Sequence, residues 1–451
     1  MHSIVKDRSV FQENWKFVQM ASLVPLVSDE EIEQVCLALG HRWRNRIFSP
    51  PVTVRSLLYR ALNPDKSIVN TVEELTACRS LSGGFSPTAG AWCQARDRLP
   101  AQTLNCLINK SVRKMRRAFE ELNLWFRRRV YIVDGTTVSM PDEPSLVKAF
   151  GLSKGKHGLS HFPVARLVAV LQAGLHIVSD YRIAHWRTAE QPLFHQMLLS
   201  IPRAAVVVTD RYYSGYVNFA LVKRRGVHLL CRLHQRRDPA KLISMGKKIG
   251  ANEWLVELKL SKIHKRAHPE IDLPDSIKLR LIRYVYHSKG KKEVLYLLTT
   301  LLDNKAYPRQ AVIALYKKRW GIETHYNHLK TTLQMAVLRS KNPNNIRTEI
   351  ASLMLAHNLV WTLIHEAARG RSGKVGKISF AGAVKVTLAF CSPLRAATSR
   401  NRRSVYRKML REIARLLNRH PPNRHEPRLV KRDKNKYQML RVSREEARKS
   451  A

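Results

Sequence analysis

Acidic residues are scarce in this chain. Only 34 Asp and Glu stand against 80 Lys and Arg among 451 residues, a formal excess of +46 and an isoelectric point near 10.6. An imbalance of this size goes beyond solubility and points to a polyanionic partner, with nucleic acid as the leading candidate. Long apolar runs are also missing. The stretches Val164–Val178 and Ala351–Ile364 are short, and Arg166 and His176, or His357 and Asn358, interrupt them, so no transmembrane span is expected and a membrane surface is the weaker polyanion. The first residues, MHSIVKDRSVFQENW, hold no apolar segment of signal-peptide length, which places the expected location in the cytoplasm or nucleoid. Cysteine is sparse and scattered: Cys36, Cys78, Cys93, Cys106, Cys231 and Cys391 form no Cys-x-x-Cys pair, which argues against a zinc ribbon or redox motif and for free thiols in a reducing compartment.

With 44% hydrophobic residues the chain can build two to four domains with real cores. Residues 1–125 read as a helical N-terminal DNA-binding domain. Ser28-Asp29-Glu30-Glu31 is a capping box and Gly40 closes the helix that follows. Ser86-Pro87 is an N-cap and first-turn proline for a helix through Arg98, and after Pro100 a basic helix runs from about Gln102 to Phe119. Two helices joined by a tight break are one way to contact a DNA groove, although such pairs also simply pack together.

From residue 126 the texture changes. Arg129–Val133 reads as a strand ending at Asp134-Gly135, followed by strands at Pro163–Leu171 and His176–His185 and a helix at Ala189–Ser200. Ala204–Thr209 is a buried-type strand ending at Asp210, then come a helix at Tyr216–Lys223 and a strand at Val227–Leu233. Three strands followed by alternating helix and strand describe an α/β protein with a mixed sheet and helices on both faces, the arrangement of a ribonuclease H-like catalytic core. That core is expected in two parts, 126–232 and 303–370, around a β-rich antiparallel insertion at 233–302 with strands at Trp254–Leu260, Ile277–Tyr286 and Glu293–Thr299. A helix at Ile346–Ala368 leads to glycines that suggest a flexible link, and the basic C-terminal region, 371–451, carries 17 Lys or Arg against 5 Asp or Glu over residues 401–450, with Pro421, Pro422 and Pro427 breaking helix.

The chemistry concentrates in Ala314–Lys330. Arg319, Glu323 and Lys330 lie three, seven and fourteen residues beyond Tyr316, which on a regular helix puts all four side chains within an arc of about 60° beside an apolar stripe of Leu315, Ile322, Tyr326, Leu329 and Leu333. A carboxylate among phosphate-compatible donors could carry a metal to a phosphodiester, though Arg319 and Glu323 also make an ordinary ion pair one helical turn apart. His325 and His328 lie off that face and are expected to be solvated rather than metal ligands. Asp134 and Asp210 fall at the ends of buried-type strands, where an open α/β sheet gathers its site; Asp-Gly turns and Asp N-caps are the structural alternatives. Three converging carboxylates would need a hard cation, magnesium first. Two ions about 4 Å apart would activate the nucleophile and stabilise the leaving oxygen in phosphodiester chemistry.

The run Tyr316-x2-Arg319-x3-Glu323-x6-Lys330 resembles the Tyr-Arg-Glu-Lys signature of bacterial DDE transposases of the insertion-sequence-four family. Asp134-Gly135-Thr136-Thr137 and Asp210-Arg211-Tyr212-Tyr213 resemble the contexts of that family's two catalytic aspartates, and the likeness extends to an end such as Glu426-Pro427-Arg428-Leu429-Val430-Lys431-Arg432. The resemblance implies a transposase that cuts at the ends of an insertion sequence and joins the freed strands to target DNA, with Asp134, Asp210 and Glu323 as catalytic metal ligands for two Mg2+ ions, Mn2+ being an alternative. It also implies that Tyr316, Arg319 and Lys330 bind DNA, that the partners are terminal inverted repeats and target DNA, and that the enzyme is a homodimer. Relatives stack a flipped base on an aromatic residue of the insertion, for which Trp254 is the nearest candidate. A transposase-derived DNA-binding protein without cleavage activity and a stand-alone nuclease are the alternatives.

Overall fold

A computed structural model describes residues 27–44, 47–77, 87–119, 123–155, 158–288, 291–369 and 375–418. Ser28 opens the helix Asp29–Ala38 as the capping box requires: its hydroxyl accepts from the Glu31 N–H, while the Glu31 carboxylate accepts from the Ser28 N–H. Gly40 follows in the left-handed region at φ +73°, where a Cβ would be strained. The helix Ala89–Arg98 begins later than its proline suggested. Thr88, not Ser86, is the cap, because its hydroxyl accepts from the Ala91 N–H; Ser86 itself lies outside the described residues.

The basic helix Thr103–Phe119 buries Leu104, Leu107, Ile108, Val112, Met115 and Phe119, a three-and-four spacing that puts one apolar stripe inward and leaves its Lys and Arg outside. That stripe packs against the 25-residue helix Pro343–Ala367, which is buried over most of its length because it stands between the N-terminal helices and the sheet. His357 and Asn358, the polar pair inside its apolar run, are both fully buried. Asn358 supplies the physical reason: its amide accepts from the Val178 N–H and donates to the Val178 carbonyl, each at 2.8 Å, saturating one residue of an adjacent strand as a neighbouring strand would.

Ten strands form one mixed sheet. β1 (Val130–Ser139) pairs antiparallel with β3 (Gly158–Gln172), which pairs antiparallel with β4 (Ile177–His185); the short β2 (Leu152–Gly155) caps the start of β3. On its other edge β1 runs parallel to β5 (Val206–Thr209), and β5 parallel to β6 (His228–Arg232). The strands β7 (Lys247–Gly250), β8 (Glu253–Lys259), β9 (Ser276–Ser288) and β10 (Lys291–Thr299) are antiparallel; β8, β9 and β10 fall at the three strand positions read from the sequence, and β7 is additional to them. They do not make a separate sheet. β10 hydrogen-bonds to β6 through Leu297–Thr299, so the insertion extends the central sheet.

Period-two alternation divides the core. Ile132, Leu167, Ala169 and Leu171 face the long helix, whereas Tyr131, Val133, Val168 and Val170 face the helices Glu190–Met197 and Tyr216–Arg224. Further along the sheet, Val206, Val208, Leu230 and Leu297 meet Val312, Ile313 and Leu315 of the helix Arg309–Lys317. The C-terminal region differs from a helix-free cationic tail. Val375–Lys377 forms a 3-10 turn, and Ser399–Arg415 is a helix that buries Met409 and Ile413, four residues apart, against the same core as the long helix. Gly370–Lys374 and the prolines at 421, 422 and 427 lie outside the described residues. Among the described residues no helix is long and apolar enough to cross a membrane.

Candidate active site at the sheet edge

Asp134 does not end its strand. β1 continues through Gly135 to Ser139 because that stretch stays paired with Val164–Val168 of β3, so the strand end expected at Asp134-Gly135 is not there and the Asp-Gly turn that was its structural alternative does not form. The carboxylate nevertheless sits where β1 loses β5. β1 and β5 are in parallel register from Val130 opposite Val206 to Ile132 opposite Val208, and the same register carried two residues further brings Asp134 level with Asp210. Asp210 leaves β5 as the N-cap of the turn Arg211–Tyr213, its Oδ1 accepting from the Tyr212 N–H at 2.9 Å.

Glu323 arrives on a helical segment less regular than one α-helix. The helix Arg309–Lys317 tightens into a 3-10 turn at Lys318–Trp320, relaxes into the helix Gly321–Asn327 and widens into a π turn at His328–Thr332. All five apolar residues of the stripe stay buried through these changes of pitch. Arg319 joins the acids: one guanidinium nitrogen lies 3.7 Å from Asp134 Oδ2 and the other 3.3 Å from Glu323 Oε1. The pair with Glu323 is therefore not merely a solvated surface pair, since the Arg319 side chain is only 12% exposed while Glu323 is 62% exposed.

Burial pushes the Asp134 carboxyl up to about 6, and the negative charges of Asp210 and Glu190 push it the same way; the Gly135 N–H and Arg319 oppose the shift. A carboxyl held this high by burial, beside further acids, marks a place where a divalent cation would favour the ionised form, so the residues present fit such an ion. Tyr316 is half-buried, with its hydroxyl held above its usual range by burial, and it feels both Arg319 and Asp210. Lys330 stands apart. It lies in the π turn, half-buried, its ammonium pushed down by burial, and forms no ion pair with the three acids among the described residues.

Glu190 was not singled out from the sequence. It is the first residue of the helix Glu190–Met197, and its carboxylate is held by Arg166 at 3.0 Å and by the Tyr213 hydroxyl at 3.1 Å. It lies so close to β1 that a Cβ on Gly135 would fall 2.1 Å from its Cδ, which explains the glycine after Asp134. The sequence carried one signal for it, a lone acid at the start of a helix in a chain poor in acids. Trp254 is half-buried in β8 against the core behind the sheet, whereas Trp320, beside Arg319, is 68% exposed.

The expectation that His325 and His328 are solvated fails. His325 is 4% exposed and His328 half-buried, because the segment beneath Glu323 is covered by the long helix and by Phe380. They join His176 and His357 in a cluster that burial keeps uncharged: His176 and His357 are pushed down to about 3 and His328 to about 4, and His325 is also lowered.

An α/β protein with a mixed sheet, acids gathered where parallel strands end and a large cationic excess belongs among proteins that work on phosphodiesters. The model of the transposase DDE domain matches residues 125–359, and the chain belongs to that family, whose members act with divalent metal ions. It is a DNA transposase of the insertion-sequence-four type. It is 24% identical over 310 residues to the transposase InsG for insertion sequence element IS4 of Escherichia coli (strain K12), covering 68% of each chain. It is 27% identical over 153 residues to the putative transposase InsZ of the same strain, covering 33% of this chain and 51% of that one. Among solved structures it is similar to a piggyBac transposase in a synaptic complex with hairpin DNA, with a TM-score of 0.43 and 13% identity over 90% of this chain and 86% of that one.

Proposed function

We propose that Asp134, Asp210 and Glu323 are the catalytic carboxylates of cut-and-paste transposition, in a ribonuclease H-like core whose strands run β4-β3-β1-β5-β6. The observation that supports this best is Arg319 reaching both Asp134 and Glu323 where the register levels Asp134 with Asp210. The three acids would hold two Mg2+ ions, with Mn2+ able to substitute, and bound metal would lower the barrier to attack by water or a 3′-hydroxyl on a phosphodiester. The rest of the work falls to the chain. Arg319 keeps Asp134 and Glu323 apart and oriented before metal enters, and then offers its guanidinium to the scissile strand. Tyr316 and Lys330 bind the same strand further along the segment. Exposed Trp320 supplies a face on which an unpaired base can stack.

In this reading residues 1–125 form the DNA-binding domain, 126–232 and 303–370 the catalytic core, 233–302 the insertion and 371–451 a basic region that grips phosphates. The substrate is the terminal inverted repeats of the element together with target DNA, and a homodimer brings the two ends together. The test is cleavage of an end-containing duplex by Asp134→Asn. We expect cleavage to fall by roughly a thousandfold, equivalent to about 4 kcal/mol, with binding retained. Cleavage near the parent rate would remove Asp134 from the mechanism. Intact strands with the parent protein would favour a DNA-binding derivative, and cutting without joining would favour a nuclease.

A further inference from the structure

We propose that His325, His328 and His357 bind a borderline divalent transition ion of the Zn2+ class, a second metal site separate from the carboxylates that pins the Glu323 segment to the helix Pro343–Ala367. One ligand nitrogen from each imidazole can be chosen so that all lie within 4.8 Å of one another. His325 Nδ1 and His357 Nε2 are 3.2 Å apart, close to the roughly 3.3 Å separation set by two Zn–N bonds of about 2.05 Å at a tetrahedral angle.

The outward nitrogens of these two rings also have what a metal ligand needs. His357 Nδ1 faces the Asn358 amide oxygen at 3.4 Å, and His325 Nε2 faces His176 Nδ1 at 3.2 Å. Partners of this kind fix the tautomer and turn the other lone pair toward an ion. His176 is itself stacked on Trp361 at 4.4 Å and 16°, so the relay is held in place.

A chain of hydrogen bonds without metal accounts for part of this. Asn358, His357, His325 and His176 can be joined by one N–H···N or N–H···O bond at each step. It leaves His328 unexplained. That ring is stacked on Phe380 at 4.4 Å and 11°, and its Nδ1 is buried with no hydrogen-bond partner among the described residues. An orphaned buried acceptor or donor costs about 1–3 kcal/mol, whereas a third metal bond would satisfy it. A small closure of the three nitrogens completes three sides of a tetrahedron, with solvent as the fourth ligand. Neutral imidazoles without a carboxylate favour Zn2+ or Co2+ over the hard Mg2+.

The experiment uses the full chain carrying Asp134→Asn, Asp210→Asn and Glu323→Gln, so that the carboxylate centre cannot bind and its own assignment does not matter. Titration with Co2+ should give the visible absorption of a tetrahedral complex at one ion per chain, and Zn2+ should displace it. Adding His328→Ala should weaken the affinity at least tenfold, with the circular dichroism spectrum unchanged. X-ray absorption on the Zn2+-loaded triple variant, which needs no histidine substitution to fold, should show a shell dominated by imidazole nitrogen. Absence of the cobalt band, an unchanged affinity after His328→Ala, or an oxygen-dominated shell would each overturn the proposal.

Discussion

Two sides of one short helical stretch carry opposite chemistries. Toward the sheet edge, Gly321–Thr332 presents an exposed Glu323, linked through Arg319 to a carboxylate that burial and neighbouring acids hold partly protonated near neutrality. Toward the long helix the same residues present His325 and His328, which join His176 and His357 among aromatic rings with no charge of either sign. The first side is open and charged; the second is largely buried and uncharged, and hydrogen-bonded apart from His328 Nδ1. The difference teaches that activity and stability should be separable here by changes only a few residues apart.

The sharpest test of that separation is Glu323→Gln. With its side chain 62% exposed, the change should leave the melting temperature within about a degree, since exposed ion pairs contribute little, yet reduce strand cleavage by roughly a thousandfold. Parallel thermal melts and cleavage assays decide it. A large loss of stability would mean that the open side also holds the fold together.

The converse is expected of Asn358→Ala on the closed side. Removing the amide strands the Val178 N–H and carbonyl in a buried place, so the protein should lose about 3 kcal/mol by denaturant titration. Metal-dependent cleavage per folded molecule should persist. If turnover fell as far as it does for Glu323→Gln, the two sides would not be independent.

These two cases also mark what the sequence could reveal. Part of the site was legible: the spacing of Tyr316, Arg319, Glu323 and Lys330 is a local pattern that can be read without knowing what packs around it. Several strands were legible too, β1 as a short β-rich run and β8 and β9 through alternation. What escaped depends on contacts between distant segments. Whether β10 pairs with β6, whether β1 continues past Asp134, and whether a helix is tightened at Lys318 and widened at His328 are decided by pairing and packing partners, and local pattern does not name these. The histidines escaped for the same reason. His176, His325 and His357 are far apart in sequence, and the helical angle of His325 relative to Glu323 shows only that it faces elsewhere, not that another helix waits there.

A smaller effect probes the electrostatic cost of the open side. Asp134 ordinarily titrates near 3.8 and is held at about 6 in the fold. Below about pH 4 both folded and unfolded chains carry the proton, and nothing is lost. As pH rises toward about 6 the unfolded chain gives up its proton while the folded one keeps it, so stability falls across that window; above it the cost is constant. Asp134→Asn in metal-free protein should therefore be stabilising at pH 7.5 by on the order of 2 kcal/mol, and the gain should shrink toward pH 4. A pH series of melts with and without Mg2+ measures it. Mg2+ should narrow the difference by favouring the ionised carboxylate, and a gain that is the same at every pH would mean that the cost of ionising Asp134 is not its source.

The smallest expected effect lies on the boundary between the two sides. Tyr326 is buried three residues after Glu323 and two before His328, and its hydroxyl donates to the backbone carbonyl of Asp134, tying the helical segment to β1 beside the carboxylate. Burial holds the Tyr326 hydroxyl well above its usual range, so it stays a donor throughout the working pH range. Tyr326→Phe keeps the ring and its packing and removes only that bond, which should cost about 1 kcal/mol of stability. The loss in cleavage should be larger than so small a destabilisation explains, because the bond sets the distance between the strand that carries Asp134 and the helix that carries Glu323. If the mechanism needs those carboxylates at a fixed separation, Tyr326→Phe should lower turnover by about tenfold at saturating Mg2+ while leaving DNA affinity unchanged. Loss of stability with no change in turnover would place the bond with the closed side, as a fastening of the fold alone.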